Sequence, residues 1–242
     1  MTEAPLYEVF SSVQGEATRV GERHLFVRMA GCDLECVFCD TPASRKIPEH
    51  ARVFLPDRVE EVRNPMDRGT LDRWVRTLDE AAGPHHAVAL TGGEPLLFAE
   101  YLRPLATGWR ERGLTVLLET GGHRPLDLER MLDCVDVVMA DVKIESSAGV
   151  ATEPETARAF LKIASRKECA AKLVVSAETT EAEVRDVAAL VPKDVPLVLQ
   201  PVSGARFHPP GGEHLLALQR AAMRIHRATR VIPQTHRALH VR

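Results

Sequence analysis

"HAVALTGGEPLLFAEYLRPLATGWRERGLTVLLET", residues 86–120, opens on a short apolar run and closes on another, with helical periodicity between them. HAVALT (86–91) and TVLLET (115–120) have the length and the Val and Leu content of strands covered on both faces. PLLFAEYLRPLATGWRER spaces its apolar residues three and four apart, as an amphipathic helix does. Strand, helix and strand in that order make a parallel pair joined by a right-handed crossover. The pattern repeats outward. HLFVRMA (24–30) predicts an earlier strand, and LDRWVRTLDEAA (71–82) the first crossover helix. VDVVMAD (135–141), AKLVVS (171–176) and VPLVLQP (195–201) predict three later strands, alternating with the helical stretches LDLERMLDC, ETARAFLKIASRKE and AEVRDVAALV. This order implies an α/β chain with a parallel sheet, doubly wound or curled toward a barrel. RVIPQT (230–235) reads as a last strand. Residues 1–242 are expected to form a single domain, with 44–70, rich in Pro, Arg and Glu, as a surface insertion.

Composition narrows the function classes. The chain has 242 residues, 45% hydrophobic and 27% charged, with a formal net charge of -3. A sequence-blind nucleic-acid binder would carry a basic excess, so no nucleic-acid partner is expected. No apolar run reaches the roughly 18 residues of a membrane span, and the N-terminus lacks the pattern of a signal peptide. Five cysteines, three of them in one cluster, do not form a secreted disulfide framework. A cytoplasmic location is expected.

Chemistry in β/α folds gathers at the C-terminal ends of the strands. Five polar motifs fall there: GCDLECVFCDT (31–41), TGGEP (91–95), ET (119–120), DVK (141–143) and QPVS (200–203). Cys32, Cys36 and Cys39 are three soft ligands, one short of the four that structural zinc takes. Cys134 and Cys169 stand alone in or beside apolar elements, where a cysteine is ordinary core. Two readings follow: a zinc knuckle completed by a distant ligand, or a [4Fe–4S] cluster whose fourth iron is open to a cofactor. In TGGEP, Gly92 and Gly93 let backbone approach a ligand and Glu94 can accept from an ammonium group. Read locally, the same residues are a glycine turn with Pro95 opening a helix.

Cys-x3-Cys-x2-Cys after the first strand, with the aromatic Phe38 before the last cysteine, resembles the radical S-adenosylmethionine superfamily. The resemblance implies a [4Fe–4S] cluster on Cys32, Cys36 and Cys39, and S-adenosylmethionine on the open iron as source of a 5′-deoxyadenosyl radical. TGGEP is similar to the superfamily's motif for the methionine amino group. The cofactor-binding residues implied are Phe38, Cys39, Asp40, Gly92, Gly93, Glu94, Lys143, Ser146, Gln200, Pro201, Val202 and Ser203.

A closer resemblance rests on FSSVQGEA (10–17), FVRMAGC (26–32), CDT (39–41) and PQTH (233–236), which look like the 7-carboxy-7-deazaguanine synthase family. That family converts 6-carboxy-5,6,7,8-tetrahydropterin to 7-carboxy-7-deazaguanine with loss of ammonia, in queuosine (tRNA modification) and deazapurine biosynthesis. It implies an incomplete (β/α)6-type barrel, a homodimer, Mg²⁺, and an electron donor such as flavodoxin or ferredoxin. Val13, Gln14 and Gly15 would meet the pterin through backbone, and Glu16 would bind its amine-rich edge. Arg28, on a strand between Val27 and Met29, would take the substrate carboxylate; its local reading is a structural ion pair. Thr91, Glu119, His236 and Arg242 complete the implied substrate contacts, and Thr41 the Mg²⁺ site. Read locally, Thr41 is a helix cap and the chain end a frayed tail. The family's loop reads QGEG, whereas this chain has Ala17, and 44–70 is longer than a compact member needs; it would cover the site, join a dimer interface or recognise a reductant. Two other functions fit fewer motifs: a glycyl-radical enzyme activase, and a non-catalytic zinc-binding module.

Overall fold

The structure, a computed structural model, describes residues 1–203 and 208–242. Strands β1 (Glu3–Ala4) and β2 (Leu6–Val13) precede β3 (Arg23–Met29), and after the cysteine loop come β4 (His50–Phe54), β5 (Val59–Arg63) and β6 (Met66–Asp67). Helices and strands then alternate. They run α1 (Arg68–Ala82), β7 (Ala87–Gly92), α2 (Ala99–Glu111), β8 (Thr115–Thr120), α3 (Pro125–Met131) and β9 (Val137–Val142). The second half runs α4 (Glu145–Ala148), α5 (Pro154–Ala164), β10 (Glu168–Val175), α6 (Glu181–Leu190), β11 (Leu197–Pro201), α7 (Gly212–Met223), β12 (Thr229–Val231) and α8 (Thr235–Ala238).

Six of the seven expected strands lie side by side in chain order, β3, β7, β8, β9, β10 and β11, each parallel to the next. β12 adds a parallel seventh. The sheet ends on β12 at one edge and β5 at the other, so the barrel is incomplete. Helix starts are set locally: Asp67 caps α1 by accepting from the Thr70 N–H, and Thr180 and Glu183 form a reciprocal capping box on α6.

Three expectations need correction. The sheet is not wholly parallel, because β2 runs antiparallel to β3 and β5 antiparallel to β4. Residues 44–70 are more than a surface insertion: β4 pairs with β2, so β4 and β5 widen the main sheet. Ala51 and Val53 are fully buried there. Alternation of Ala51, Val53 and Leu55 was the period-2 signal, masked by the Pro-rich and charged residues around it. Finally, α5 stops at Ala164 and β10 starts at Glu168 rather than Ala171.

Strand parity divides the interior. Val88 and Leu90, Val116 and Leu118, Val138 and Ala140, and Ala171 and Leu173 pack outward into the layer beneath the helices. Their neighbours Ala87, Ala89, Leu117, Val137, Met139 and Ala170 turn inward and, with Phe10, Ala17 and Phe26, fill the barrel floor. The rings of Phe10 and Phe26 stack at 4.9 Å. Whatever follows these inward residues two positions on, at a strand's C-terminal end, must stand on top of that floor.

Candidate active site

Those positions are Arg28 after Phe26, Thr91 after Ala89, Glu119 after Leu117, Asp141 after Met139 and Lys172 after Ala170. All five line one cavity, together with the three clustered cysteines, the 13–17 loop and residues of the chain end. The polar ring therefore follows from the same alternation that builds the core.

On one wall, Gln14 donates from Nε2 to Glu119 Oε1 at 2.7 Å, and Thr91 donates to Glu119 Oε2 at 2.7 Å. Gln14 Oε1 accepts the Glu16 backbone N–H at 3.0 Å, which ties the loop to β8. On the facing wall, Glu16 Oε2 lies 2.5 Å from Lys172 Nζ, and Lys172 lies 3.3 Å from Asp141 Oδ2. Lys143 pairs with the same Asp141 oxygen at 2.7 Å and sits over the Phe38 ring at 5.0 Å. Burial favours the neutral form of Glu16, but the Lys172 charge and the Gln234 hydrogen bond outweigh it and hold the carboxyl at about 2. Burial likewise opposes the Lys172 charge, and Asp141 and Glu16 lift its pKa above the ordinary lysine range.

Arg28 donates from Nε to Glu8 Oε1 at 3.0 Å, with Arg242 at 3.4 Å and Arg52 at 3.8 Å from Glu8 Oε2. Three guanidiniums around one carboxylate leave a surplus of positive charge, so an added anion is favoured there. Arg52 comes from β4, inside the stretch expected to be a mere insertion. The chain end is not frayed. Thr235 donates through both N–H and hydroxyl to Gly15 O at 2.9 Å, and Ser12 donates to Arg242 O at 2.7 Å. A Cβ on Gly15 would overlap the His236 ring, so glycine is needed there for space. Gln234 donates to Glu16 Oε1 at 2.5 Å and to Asp40 Oδ2 at 3.2 Å, and accepts from Ser203.

Glu94 is 1% exposed, and its carboxylate is occupied by Leu96 N–H, the Thr120 hydroxyl and Gly121 N–H at 2.8–3.0 Å. It fastens the TGGEP loop to the end of β8. Gly92, at φ +127°, approaches the Met29 backbone closely enough that any side chain would collide with it. Among the residues expected in the site, Val13, Gly93, Gln200 and Val202 also line the cavity. Thr41, Ser146 and Pro201 do not. Thr41 stands at the N-cap of a short 3-10 turn, Pro42–Arg45, but its hydroxyl donates to Asp40 Oδ1 at 3.0 Å and makes no capping bond, and Ser146 bonds to Thr179 and Glu183. Ala17 takes φ +52°, a left-handed conformation that glycine adopts freely and alanine adopts at a cost of about 1 kcal/mol. Its buried methyl joins the floor cluster.

Sequence reading missed Lys172 and Glu8, and it named the motifs that hold Asp141 and Gln234 without giving either residue a role. For Lys172 the signal was present: a lone charge inside the apolar strand AKLVV, on the parity of the inward Val174. The others needed contacts made across the fold.

The cysteines argue against a zinc cage. Four ligands on one zinc ion lie about 4 Å apart. Among the described residues, the only group of three or more ligand-type side chains within 4.8 Å is Glu16, Asp40 and His236. Cys134 and Cys169 are buried in the outer core, their thiols pushed up to about 11 and about 12 by burial.

Residues 26–187 match the Radical SAM superfamily, and the chain belongs to that superfamily. The 7-carboxy-7-deazaguanine synthase of Geobacter sulfurreducens is 37% identical, over 97% of this chain and 96% of its own. That of Methanothermobacter thermautotrophicus is 31% identical, over 100% and 99%. This chain is a member of the 7-carboxy-7-deazaguanine synthase family within the superfamily. The crystal structure of QueE from Escherichia coli shares the fold, with a TM-score of 0.61 at 20% identity over 96% of this chain and 94% of that one. Among the described residues no helix is long and apolar enough to cross a membrane.

Proposed function

We propose that the chain is a radical S-adenosylmethionine enzyme that converts 6-carboxy-5,6,7,8-tetrahydropterin to 7-carboxy-7-deazaguanine with loss of ammonia, in queuosine and deazapurine biosynthesis. The carrying observation is a single cavity that joins the three cysteines, the Gln14–Glu16 loop and His236. The residues fit the cofactors. Cys32, Cys36 and Cys39 would hold a [4Fe–4S] cluster and leave one iron for S-adenosylmethionine. Asp141 Oδ1 and Gln200 Oε1 are buried without a hydrogen-bond partner, and both belong to residues lining the cavity. Acceptors left in that state suit the hydroxyls and amines of a nucleoside. When bound, cluster and cofactor supply the organic radical that starts the reaction; the protein's own residues bind, orient and shield. Glu16 accepts from the amine edge of the pterin, Arg28 and Arg242 take its carboxylate, and Gly92 and Gly93 let the TGGEP loop lie against the Met29 and Gly31 backbone beside the cysteine loop. The test is turnover of the carboxypterin with S-adenosylmethionine, Mg²⁺ and a reductant. An electron donor such as flavodoxin or ferredoxin and a homodimeric assembly are part of the same proposal.

Mg²⁺ would sit at the rim where the hydroxyl of Thr41 meets Asp40, since a hard cation takes oxygen donors and keeps several waters. Thr41→Ala is expected to shift the Mg²⁺ titration of turnover upward by about tenfold and to leave uncoupled cofactor cleavage in place. An unchanged titration removes Thr41 from the metal site.

The chain end would close over the substrate and exclude water. Deleting Arg237–Arg242, or His236→Ala, is expected to raise KM for the carboxypterin by about tenfold with the brown chromophore and iron content unchanged. Gly15→Ala, which displaces the His236 ring, is expected to reproduce the effect. Wild-type kinetics in all three would leave the tail without a role.

A further inference from the structure

We propose that Lys172 reads the 4-oxo oxygen of the pterin, and so makes the enzyme selective for that oxygen over a weaker acceptor. The inference rests on the proposed function and concerns a residue that none of the motifs contains.

Its basis is the order of hydrogen-bonding groups along one wall. Gln234 Nε2 stands 2.5 Å from Glu16 Oε1, and Lys172 Nζ stands 2.5 Å from Glu16 Oε2. With the second Gln234 N–H turned from Asp40 Oδ2, its 3.2 Å partner, to the ligand, the wall presents donor, acceptor, acceptor, donor. The edge of a 4-oxopterin presents the complement: N1 as acceptor, the 2-amino group and N3–H as donors, and O4 as acceptor. A carboxylate that takes the two central N–H groups in bidentate fashion needs a donor on each side. The lactam oxygen carries more negative charge than N1, so the ammonium matches O4 and the neutral amide matches N1. Lys172 has the donor to spare: of its three N–H bonds, one faces Glu16 and one faces Asp141 at 3.3 Å.

Its surroundings hold that donor still. The side chain is 16% exposed and held between two carboxylates on different elements, Glu16 on the loop after β2 and Asp141 on β9. Lys143, across the same Asp141, is occupied by that carboxylate and by the face of Phe38. A rigid charged donor discriminates strongly between a good acceptor and a poor one, because the mismatch leaves it buried and underpaired.

The experiment uses the holoenzyme with its cluster and S-adenosylmethionine, without reductant, so that binding is read without turnover. The two probes are 6-carboxytetrahydropterin and its 4-thioxo analogue, which keeps N3–H and replaces O4 by sulfur, a weaker acceptor. Wild-type protein is expected to bind the oxo compound about tenfold or more tightly than the thioxo compound. In Lys172→Met the ratio of the two Kd values should fall to within about threefold, and Lys172→Gln, which keeps a neutral donor, should fall between. Equal affinity of the wild type for both probes overturns the proposal without need of any variant. A ratio undiminished in Lys172→Met and Lys172→Gln overturns it as well. Failure of the wild type to bind or turn over the oxo compound counts instead against the proposed function.

Discussion

Replacing any one of Cys32, Cys36 or Cys39 by Ala is expected to abolish the brown chromophore and all cleavage of S-adenosylmethionine, while Cys134→Ala and Cys169→Ala keep both. The three cysteines share one loop at the end of β3 and line the cavity. A cluster has no substitute for a lost thiolate unless another ligand stands within reach. Cys134 and Cys169 cannot serve, because both are packed into the outer core on the other face of the sheet. Burial raises their thiol pKa to about 11 and about 12, so neither is a thiolate at neutral pH. Their loss should appear as a stability cost of about 1 kcal/mol from the small void left behind. Iron and sulfide content, the visible absorption spectrum and 5′-deoxyadenosine release measure the contrast. Loss of the cluster in folded Cys134→Ala or Cys169→Ala would sink the ligand assignment.

Glu16→Gln is expected to lower kcat/KM for the carboxypterin by about a hundredfold, with the cluster intact. The amide can offer only one acceptor where the pterin edge brings two donors, and its own NH2 then opposes one of them. It also leaves Lys172 with Asp141 as its one remaining carboxylate at this site. The pH dependence carries a sign. Glu16 is held at about 2 in the folded protein against an ordinary 4.5. A lowered carboxylate contributes stability fully above 4.5 and loses it as pH falls toward 2. Wild-type KM should therefore show no loss of substrate binding from Glu16 between neutral pH and about 4.5, and the acid limb of the stability curve should be shallower in Glu16→Gln. Thermal melts between pH 5 and pH 2.5 on both proteins decide it; identical acid limbs would show that Glu16 is not held ionised by Lys172.

The six parallel strands were legible because each is a short apolar run between helical stretches, and that pattern is local. So was the cysteine loop, since Cys32, Cys36 and Cys39 lie within eight positions and their spacing needs no partner from elsewhere. What only the tertiary structure decided is which polar side chains meet. Glu16 and Lys172 are 156 residues apart in sequence, and Gln234 reaches Glu16 across 218. Each is an ordinary polar residue in its own neighbourhood, and nothing local marks the partner. β4 shows the same rule in the backbone: its alternation is short and set among prolines and charges, and it became a strand because β2 left an edge open beside it. Local periodicity specifies which residues turn inward along a strand. Closure of the sheet brings the inward ends of different strands to one place, and that meeting, with its paired charges, makes the site.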